Sequence, residues 1–385
     1  METWKEYRLG DVCTITSSKR IFAEQYVSEG IPFYRQKEII EKHDKKNISD
    51  PLFISKDVFN NIKNKFGIPC KGDLLLSAVG VTLGIPYLVD SEEFYFKDGN
   101  LIWLKNFSQK VDSKYIYCWL DSKFGYETIY YRAIGSAQPA LTIDLVKKIK
   151  IQLPPLPTQR RIASILSTYD ALIQNYKRQI AALQSAASEL YKEWFVRFRF
   201  PGYKNAKFDN GLPEGWKVER VKNCVNRLPF GQTYKKDELE SKGKVIVIDQ
   251  SEDEYLGFHN YEPSHKASAE NPIALFGDHS CKYQLMIKNF SLGENIIPYT
   301  AKNVDLYYLY FAVYKIVQTE EYKRHWSLFV NKKILIPNKD LQMKFRDFII
   351  PLFKKIENLQ QQIINLTTQR DLLLPRLMSG KLSVE

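Results

Sequence analysis

The chain has few of the residues from which metal and redox centres are built. Its 385 residues include only five cysteines and five histidines. The cysteines are scattered and odd in number, which disfavours a disulfide framework and is typical of proteins from a reducing compartment. No Cys-x-x-Cys or His-x-x-His spacing for zinc occurs. These absences exclude a disulfide-rich secreted scaffold and a small zinc-stabilised fold, and they favour a cytoplasmic protein.

Long apolar runs are also missing. The most lipophilic stretch, LYYLYFAVYKIV at residues 306–317, is too short to span a bilayer and contains Lys315. The opening segment METWKEYRLGDVCTIT has no apolar core of the kind that a signal peptide needs. We therefore expect neither a membrane span nor a secretory leader.

Motifs for cofactor-dependent chemistry are absent as well. There is no phosphate-binding loop of the form G-x-x-x-x-G-K-[ST]. A base methyltransferase would need a glycine-rich turn and an Asp/Asn-Pro-Pro-aromatic loop. LPPL lacks the polar first residue of that loop, and Asn271-Pro272-Ile273 lacks its second proline. We find no catalytic constellation, so we expect a protein that is not an enzyme and binds no metal or cofactor itself.

What the chain does have is a basic balance that is spread evenly. The 56 Lys and Arg against 44 Asp and Glu give a net charge of +12. Each half of the chain is mildly basic, and no long basic run concentrates the charge. This distribution is expected if each half contacts a polyanion such as DNA. A generic basic cytosolic protein would have the same charge.

Two long segments carry apolar residues at steps that alternate between four and three, the spacing of a helix that faces a partner helix along one seam. The first set is Ile162, Leu166, Tyr169, Ile173, Tyr176, Ile180, Leu183, Ala187, Leu190 and Trp194. Adding 183 to each number gives Phe345, Ile349, Leu352, Ile356, Leu359, Ile363, Leu366, Arg370, Leu373 and Leu377. Only Arg370 interrupts the second seam, so the last segment of the chain repeats its central helix.

Further matches in the same order extend the repeat to the rest of each half. Trp4-Lys5 recurs as Trp216-Lys217, and Gly72-Asp73 recurs as Gly277-Asp278. The triplet Asn100-Leu101-Ile102 recurs as Asn295-Ile296-Ile297, and Val111-Asp112-x-x-Tyr115 recurs as Val304-Asp305-x-x-Tyr308. A collinear series that ends in a ten-position heptad match indicates a tandem duplication rather than a solenoid.

Short apolar runs flanked by turn residues predict strands in each half. The runs are IPFYRQ, DLLLSAV and NLIWLKN in the first half, and KVIVID, PIALFG and NIIPYT in the second. Tyrosine-rich helices are predicted at about 112–131 and 305–325. Prolines at 154, 155 and 157 place the start of the first long helix just after them, and Pro337 marks the second start. Pro351 should kink the second long helix or delay its start.

These elements predict four segments. A first lobe covers residues 1–155, a first long helix 156–199, a linker and second lobe 200–336, and a second long helix 337–385. The linker itself, residues 200–216, is rich in Gly, Pro and Asn. The expected fold is α/β (α+β): two similar lobes joined by two helices that form an antiparallel coiled coil with pseudo-twofold symmetry. Heptads alone would also permit self-dimerisation.

Several stretches resemble the specificity subunits of type I restriction–modification systems. They are IKIQLPPLPTQRRIASIL before the first heptads, GSAQPALTIDLVKKI before that, KGDLLLSAVG and GIPYLV in the first lobe, and the terminal LLLPRLMSGKL. The resemblance covers essentially the whole chain. It is specific for the helices and their starts, and weak for the lobes. The second lobe departs from it, because HWSLFVNKKILIP there lacks the Ser-x-Gln-Pro of the first lobe.

The resemblance implies a non-catalytic reader of double-stranded DNA with two target recognition domains. Each domain would read one half of an asymmetric bipartite target, at a spacing set by the helices. The partners implied are two methyltransferase subunits, which use S-adenosylmethionine to methylate adenine. Restriction subunits that use ATP and Mg could also join. Arg370 in the seam could extend past the interface on its aliphatic stem or contact a partner subunit.

Residues for DNA contact are predicted where polar side chains follow the family-like strands and loops, since Arg and Gln suit bidentate contact with base edges. In the first lobe they are Tyr34, Arg35, Gln36, Lys37, Ser77, Lys97, Asn100, Ser136 and Gln138. In the second lobe they are Asp249, Gln250, Ser251, Lys282, Tyr283 and Asn295. The alternative is a coiled-coil assembly scaffold that does not read DNA. A single-chain nuclease–methyltransferase is disfavoured by the missing cofactor motifs.

Overall fold

The structure is a computed structural model that describes residues 4–135, 139–319 and 323–384. The chain forms two compact units. The first comprises residues 1–173 and 365–385, and the second comprises residues 174–364. Both long helices therefore contribute residues to both units.

The first lobe consists of strands and short helices that precede the first long helix. In chain order they are β1 (Lys5–Arg8), α1 (Leu9–Val12), β2 (Thr14–Thr16), β3 (Tyr26–Val27), β4 (Ile31–Tyr34), α2 (Gln36–His43), β5 (Leu52–Ile54), α3 (Lys56–Phe66), β6 (Leu74–Ser77), β7 (Pro86–Leu88), β8 (Tyr95–Phe96), β9 (Leu101–Lys105), α4 (Ser113–Leu120), α5 (Lys123–Tyr130), α6 (Ile143–Lys147) and β10 (Lys150–Leu153).

The long helix α7 (Leu156–Tyr191) follows, and the second lobe comes next. That lobe consists of β11 (Phe208–Asp209), β12 (Leu212–Pro213), β13 (Lys217–Arg220), β14 (Val225–Arg227), β15 (Val245–Ile248), β16 (Gly257–His259), β17 (Ile273–Gly277), β18 (Tyr283–Met286), β19 (Phe290–Leu292), β20 (Ile296–Ala301), α8 (Leu306–Val313), α9 (Trp326–Asn331) and β21 (Lys333–Ile336). The chain ends with the long helix α10 (Lys339–Met378).

The two lobes share most of their sheet topology, although the second sheet has four strands in the first lobe (β3-β5-β4-β8) and three in the second (β16-β15-β19). An antiparallel four-stranded sheet has the order β2-β9-β6-β7 in the first lobe and β14-β20-β17-β18 in the second. A second sheet in each lobe contains one parallel pair, β4 with β8 and β15 with β19. A two-stranded antiparallel sheet closes each lobe, β1 with β10 and β13 with β21. The tandem duplication predicted from sequence is thus present in the topology.

All six strands predicted from the apolar runs are present, as β4, β6, β9, β15, β17 and β20. Their residues are continuously apolar because most are buried on both faces. Every residue of β6 and of β15 is buried. These strands form the centre of each lobe's core.

Strand register corrects one of the repeat matches. Ser77 pairs with Leu101 at the end of β6, and Gly277 pairs with Ile296 at the end of β17. Gly277 therefore corresponds to Ser77, whereas Gly72 lies before β6 begins. The match of Gly72-Asp73 with Gly277-Asp278 is wrong, because the first pair precedes its strand and the second lies at the end of the equivalent strand. The match of Asn100 with Asn295 agrees with the same register.

The tyrosine-rich helices are shorter than predicted. The first segment divides into α4 and α5, because Ser122 caps a new helix by accepting from the Gly125 amide at 2.9 Å. The second prediction, 305–325, is wrong for residues 314–319 and 323–325, because α8 ends at Val313. Its start is right: Asp305, like Asp112 of the first lobe, is the N-cap residue whose carboxylate accepts backbone amides.

The predicted linker, residues 200–216, contains a short β-hairpin. Residues 208–209 pair with 212–213 as a small hairpin, and Asn210 and Gly211 between them have positive φ angles of 49° and 79°. Asn-Gly between two short strands is the signature of such a turn. Trp216 at the end of the linker is 8% exposed and packs against Phe195 and Phe198.

The long helices pair in antiparallel orientation. In the first unit Ile162 and Leu166 of α7 share a core with Leu377 of α10. In the second unit Trp194, just after α7, lies 5.9 Å from Phe345 between ring centroids. Every seam position predicted from the heptads is buried or partly buried. The helix α10 begins twelve residues before Pro351, so that proline does not delay the start of the helix.

Arg370 does not interrupt the seam. Its guanidinium crosses from α10 to α7 and donates to Asp170 at 2.7 Å, and it also contacts Asp371 at 3.0 Å. An arginine is compatible with this seam position because its charge has a carboxylate partner on the facing helix.

A buried glutamine fastens the start of each long helix to its lobe. Gln159 is 1% exposed. Its amide nitrogen donates to the carbonyls of Pro154 at 2.7 Å and Lys110 at 2.9 Å, and its oxygen accepts from the Asp112 amide at 3.0 Å. Gln342 makes the same contacts with Pro337 and with Asp305, each at 2.8 Å. The two residues are related by the 183-residue repeat.

None of the described helices combines the length and the apolar composition that crossing a membrane requires. All five cysteines are free, and four of them are buried.

Candidate nucleic-acid interface

The predicted contact residues of the first lobe converge at one edge. Strands β4 and β8 are parallel, so their carboxyl ends meet, and the Lys97 amide donates to the Tyr34 carbonyl at 2.8 Å. The end of β6 joins them, because the Ala78 amide donates to the Asn100 carbonyl at 2.9 Å. We call residues 34–37, 77–82 and 97–100 the first edge.

Two of the predicted residues on the first edge are not available at the surface. Tyr34 is 4% exposed, and its hydroxyl donates to Glu92 at 2.5 Å. Burial, followed by this hydrogen bond, raises the pKa of the Tyr34 hydroxyl far above its usual value. Ser77 is fully buried and its hydroxyl bridges the following turn, donating to the Thr82 carbonyl and accepting from the Ile85 amide.

Arg35 is committed to an internal ion-pair network. Its guanidinium lies 2.5 Å from the buried carboxylate of Glu38 and 2.8 Å from Asp50. These hydrogen bonds raise the pKa of the guanidinium, the one with Glu38 contributing most. A contact of Arg35 with a base would therefore require exchange of these bonds.

Gln36 is committed as well, to the turn after β6. Its amide nitrogen donates to the Val79 carbonyl at 2.7 Å and to the Thr82 hydroxyl at 3.0 Å, and its amide oxygen accepts from the Val79 amide at 3.4 Å. The side chain has the bidentate geometry suited to adenine, but here it is applied to the protein's own backbone. Its effect is to hold the turn in place.

Lys37 and Lys97 are the exposed cations of the first edge, and Asn100 is partly exposed. Lysines of this kind suit contact with phosphate. Ser136 and Gln138 lie outside the described residues. The Pro139 carbonyl accepts from the Gly80 amide at 2.9 Å, so Pro139 lies at the first edge.

The predicted residues of the second lobe converge in the same way at the ends of β15, β17 and β19. The Gly293 amide donates to the Ile248 carbonyl at 2.8 Å, and the Asp278 amide donates to the Asn295 carbonyl at 2.9 Å. We call residues 249–251, 278–283 and 293–295 the second edge.

Internal bonds occupy the polar groups on this edge too. Asp249 accepts from the Ser251 hydroxyl at 2.6 Å, and Gln250 accepts from the His279 amide at 3.0 Å. Lys282 donates to the carbonyls of Asp249 at 3.1 Å and Asp253 at 2.6 Å, and burial lowers the pKa of its ammonium.

Tyr283 and Asn295 complete the second edge. The Tyr283 hydroxyl donates to the Val317 carbonyl at 3.3 Å, and burial raises the pKa of that hydroxyl. Asn295 is exposed and has a φ of 58°, a conformation that asparagine tolerates better than most residues.

The sequence reading missed an anchor on the second edge. The Asp278 carboxylate accepts from the amides of His325 at 3.1 Å and Trp326 at 2.9 Å, which ties the segment before α9 to the turn after β17. Next to it Arg324 has an 80% exposed side chain. The sequence showed Asp278 directly after an apolar run. Matching Gly277-Asp278 with Gly72-Asp73 wrongly placed Asp278 before its strand, whereas it follows β17.

The first edge offers the exposed cations Lys37 and Lys97. Arg324 lies next to the second edge, where its guanidinium is 3.8 Å from the Asp278 carboxylate. Among the described residues, no three His, Cys, Asp or Glu side chains lie where they could share a metal ion. The arrangement suits the binding of a polyanion surface, with phosphate contacts from the lysines and Arg324.

Comparison with known proteins identifies close similarity. Residues 1–185 match the family model of the type I restriction modification DNA specificity domain. A Haemophilus influenzae protein provisionally named as a type I restriction enzyme specificity subunit is 36% identical over 199 residues, which cover 50% of this chain and 48% of that protein. The chain thus matches about half of the length of that relative. The type I restriction enzyme MjaIX specificity subunit of Methanocaldococcus jannaschii is 29% identical over 71% of this chain and 70% of its own length.

A solved structure shares the fold over nearly the whole chain. The crystal structure of the type I restriction–modification system S subunit from M. genitalium superposes with a TM-score of 0.60 at 17% identity, covering 98% of this chain and 96% of that one.

Proposed function

We propose, on the premise that this chain belongs to the family of type I restriction–modification specificity subunits, that it is a sequence-specific reader of duplex DNA. Each lobe reads one half of an asymmetric bipartite target through its edge. The chain docks two methyltransferase subunits for adenine methylation, and restriction subunits join for cleavage.

The observation that carries this proposal is the duplicated edge. The four-stranded antiparallel sheets of the two lobes have the same strand order. In each lobe the turn that follows the equivalent strand, β6 or β17, lies at the carboxyl ends of a parallel strand pair. The frame is common, but the side chains on the two edges differ almost completely. A shared frame with different surfaces is what reading two different half-sequences requires.

The division of roles within an edge follows from the bonds already made. Buried and internally bonded side chains, such as Gln36 and Lys282, hold the edge rigid. Exposed cations such as Lys37, Lys97 and Arg324 contact phosphates and set the orientation on the duplex. A preorganised edge loses little conformational entropy on binding.

The chain itself catalyses nothing in this proposal and acts in the cytoplasm. S-adenosylmethionine belongs to the methyltransferase subunits, and ATP and Mg belong to the restriction subunits. Methyl transfer from S-adenosylmethionine by the pure, partner-free chain would contradict this assignment.

The decisive experiment exchanges one lobe. Residues of about 15–150 are replaced by the equivalent lobe of a relative, and the methylated motif is determined by methylome sequencing of a host that expresses the system. We expect one half of the motif to change and the other to stay. A first-lobe exchange that alters both halves would show that the lobes are not independent readers.

The alternative of a scaffold that does not read DNA is tested by binding. The assembled complex should bind its methylated motif as duplex DNA with an affinity that falls steeply as salt rises, because phosphate contacts release counterions. Salt-insensitive or undetectable binding by an intact complex would favour the scaffold.

A further inference from the structure

The turn between β6 and β7 presents an apolar side chain to solvent at the centre of the first edge. Val81 occupies the middle of the short helical turn Gly80–Thr82, and it is 91% exposed. Single exposed apolar residues are common on protein surfaces. What distinguishes Val81 is the rigidity of the turn that carries it.

Hydrogen bonds hold this turn on both sides of Val81. The Gly80 amide donates to the Pro139 carbonyl at 2.9 Å, and the Leu83 amide donates to the Gly80 carbonyl at 3.1 Å. Gln36 bonds both Val79 and Thr82, and the buried Ser77 hydroxyl bonds the Thr82 carbonyl at 2.5 Å. Hydrogen bonds therefore fix the backbone at Val81, while its side chain is almost fully exposed.

The surroundings indicate what the side chain meets. Lys37 follows Gln36, which bonds the turn. The Asn100 carbonyl accepts from the Ala78 amide, and the Lys97 amide donates to Tyr34, two residues before Gln36. The turn is thus flanked by exposed cations that suit phosphates, while its tip offers no polar side chain for a base edge. A β-branched apolar tip between phosphate-binding cations suits the one apolar group in the major groove, the 5-methyl of thymine.

We propose that Val81 contacts the 5-methyl group of a thymine in the major groove and makes the first half-site depend on thymine at one position. This inference rests on the proposed function and specifies its substrate contact. Because the turn is held before DNA arrives, little conformational entropy is lost when the contact forms.

The second lobe lacks an equivalent group. Its turn after β17 is shorter, with the Gly277 amide bonded directly to the Lys282 carbonyl at 2.8 Å. The residues at its tip are His279 and Ser280, both polar. The dependence on a thymine methyl through this turn therefore belongs to the first half-site alone.

The test uses the full chain in complex with its methyltransferase subunits and a duplex carrying the methylated motif. Each thymine of the first half-site, on either strand, is replaced in turn by deoxyuridine, which lacks only the methyl group. We expect one replacement to weaken binding about fourfold, the effect of one lost buried methyl. In the Val81→Ala complex that replacement should have no further effect, and Val81→Thr, which keeps a methyl, should restore part of it.

Val218→Ala is the matched control, since Val218 is an exposed valine (55%) on β13 of the other lobe. It should leave the deoxyuridine profile unchanged. Equal profiles for wild type and Val81→Ala, in complexes that still bind the motif, would overturn the inference but not the proposed function. Loss of methyltransferase subunits from the Val81→Ala complex would also overturn it, because Val81 would then face a protein. A complex that binds no duplex at all would instead overturn the proposed function.

Discussion

The two lobes share the hydrogen bonds at their closing strands and helix starts and differ along their edges. Tyr115 and Tyr308 donate to carbonyls of the equivalent strands β10 and β21, and Gln159 and Gln342 fasten the equivalent helix starts. By contrast, the first edge carries the long turn with Val81, and the second carries a short polar turn. The comparison shows that the duplication retained the groups that fasten the long helices to the lobes and changed those on the edges.

The helix pair differs between the units in the same way. Asp170 and Arg370 form an ion pair in the first unit. The repeat relates these residues to Phe353 and Ala187 in the second unit, where Phe353 packs on Tyr307 at 5.7 Å and on Tyr310 at 6.2 Å. One position of the seam is thus polar in one unit and apolar in the other. An interacting pair that has no counterpart elsewhere helps to define a single register.

The largest effect should come from changing the length of the helices. The helices α7 and α10 are antiparallel. A heptad inserted after Gln184 in α7 alone therefore shifts the part of α7 after the insertion out of register with α10, and we expect loss of assembly. Matched heptads after Gln184 and after Lys354 keep the seam and should lengthen the unread spacer by roughly three base pairs, or about 10 Å. The measurement is the methylated motif.

An active variant with matched heptads and an unchanged spacer would contradict the idea that the helices set the spacing. Insertion of two residues at the same two places is the matched control. It should abolish assembly, because it rotates the seam away from its partner.

The next largest effect should come from the buried glutamines. Gln159→Ala leaves the Asp112 amide and two carbonyls without their partner, and we expect it to lower the free energy of unfolding by about 3 kcal/mol. Gln342→Ala removes two such bonds and should cost about 2 kcal/mol. Chemical denaturation with hydrogen exchange read separately for each unit would measure both effects. Gln184→Ala, at an exposed position of α7, is the control. Equal losses in all three variants would contradict the anchoring role.

Substitution at Asp170 and at its repeat-related counterpart Phe353 sharpens the comparison further. Phe353→Ala removes a half-buried aromatic contact and should lower the free energy of unfolding by about 2–3 kcal/mol. Asp170→Ala removes a partly exposed ion pair and should cost less than about 1 kcal/mol, with a strong dependence on salt. Thermal unfolding at low and high salt distinguishes the two. A larger cost for Asp170→Ala would mean that the ion pair, rather than packing, dominates the seam.

The smallest effect should be a difference in pH response. Burial lowers the pKa of both His259 and His265, which belong to the second unit. His259 must be neutral, because its Nδ1 accepts from the Tyr261 amide at 3.1 Å. A folded pKa below the unfolded value means that stability is present above about pH 6.5 and falls as the pH drops further. We expect the second unit to lose stability between pH 7 and pH 5.5, because the unfolded histidines take up protons there that the folded ones resist.

In the first unit Asp73 should contribute in the opposite direction at lower pH, because burial raises the pKa of its carboxyl. Its ionisation opposes folding, so protonation of Asp73 stabilises that unit. Hydrogen exchange at pH 7 and pH 5.5 measures each unit separately. His259→Asn, which keeps an acceptor without a proton to gain, should reduce the response. A response equal in both units would exclude the histidines as its cause.

Much of the fold could be predicted because its signals are local. Continuous apolar runs located the central strands, prolines located the helix starts, and heptads identified two paired helices. The prediction of a tyrosine-rich helix at 305–325 was wrong after α8, because tertiary packing overrides local helix propensity and cannot be seen in the local sequence. Most of the short strands at the sides of the sheets were not predicted, since strands of two to four residues have too little periodicity to detect.

The sequence by itself determined the duplication, the paired helices, the family resemblance and the segments that form each edge. Only the tertiary structure decided which side chains on those edges are free. Gln36 and Val79, or Asp278 and His325, bond across 43 and 47 residues of chain. A polar side chain looks equally available in a sequence whether or not a distant backbone group satisfies it, because hydrogen-bond partners are chosen by the fold and not by neighbours in the chain.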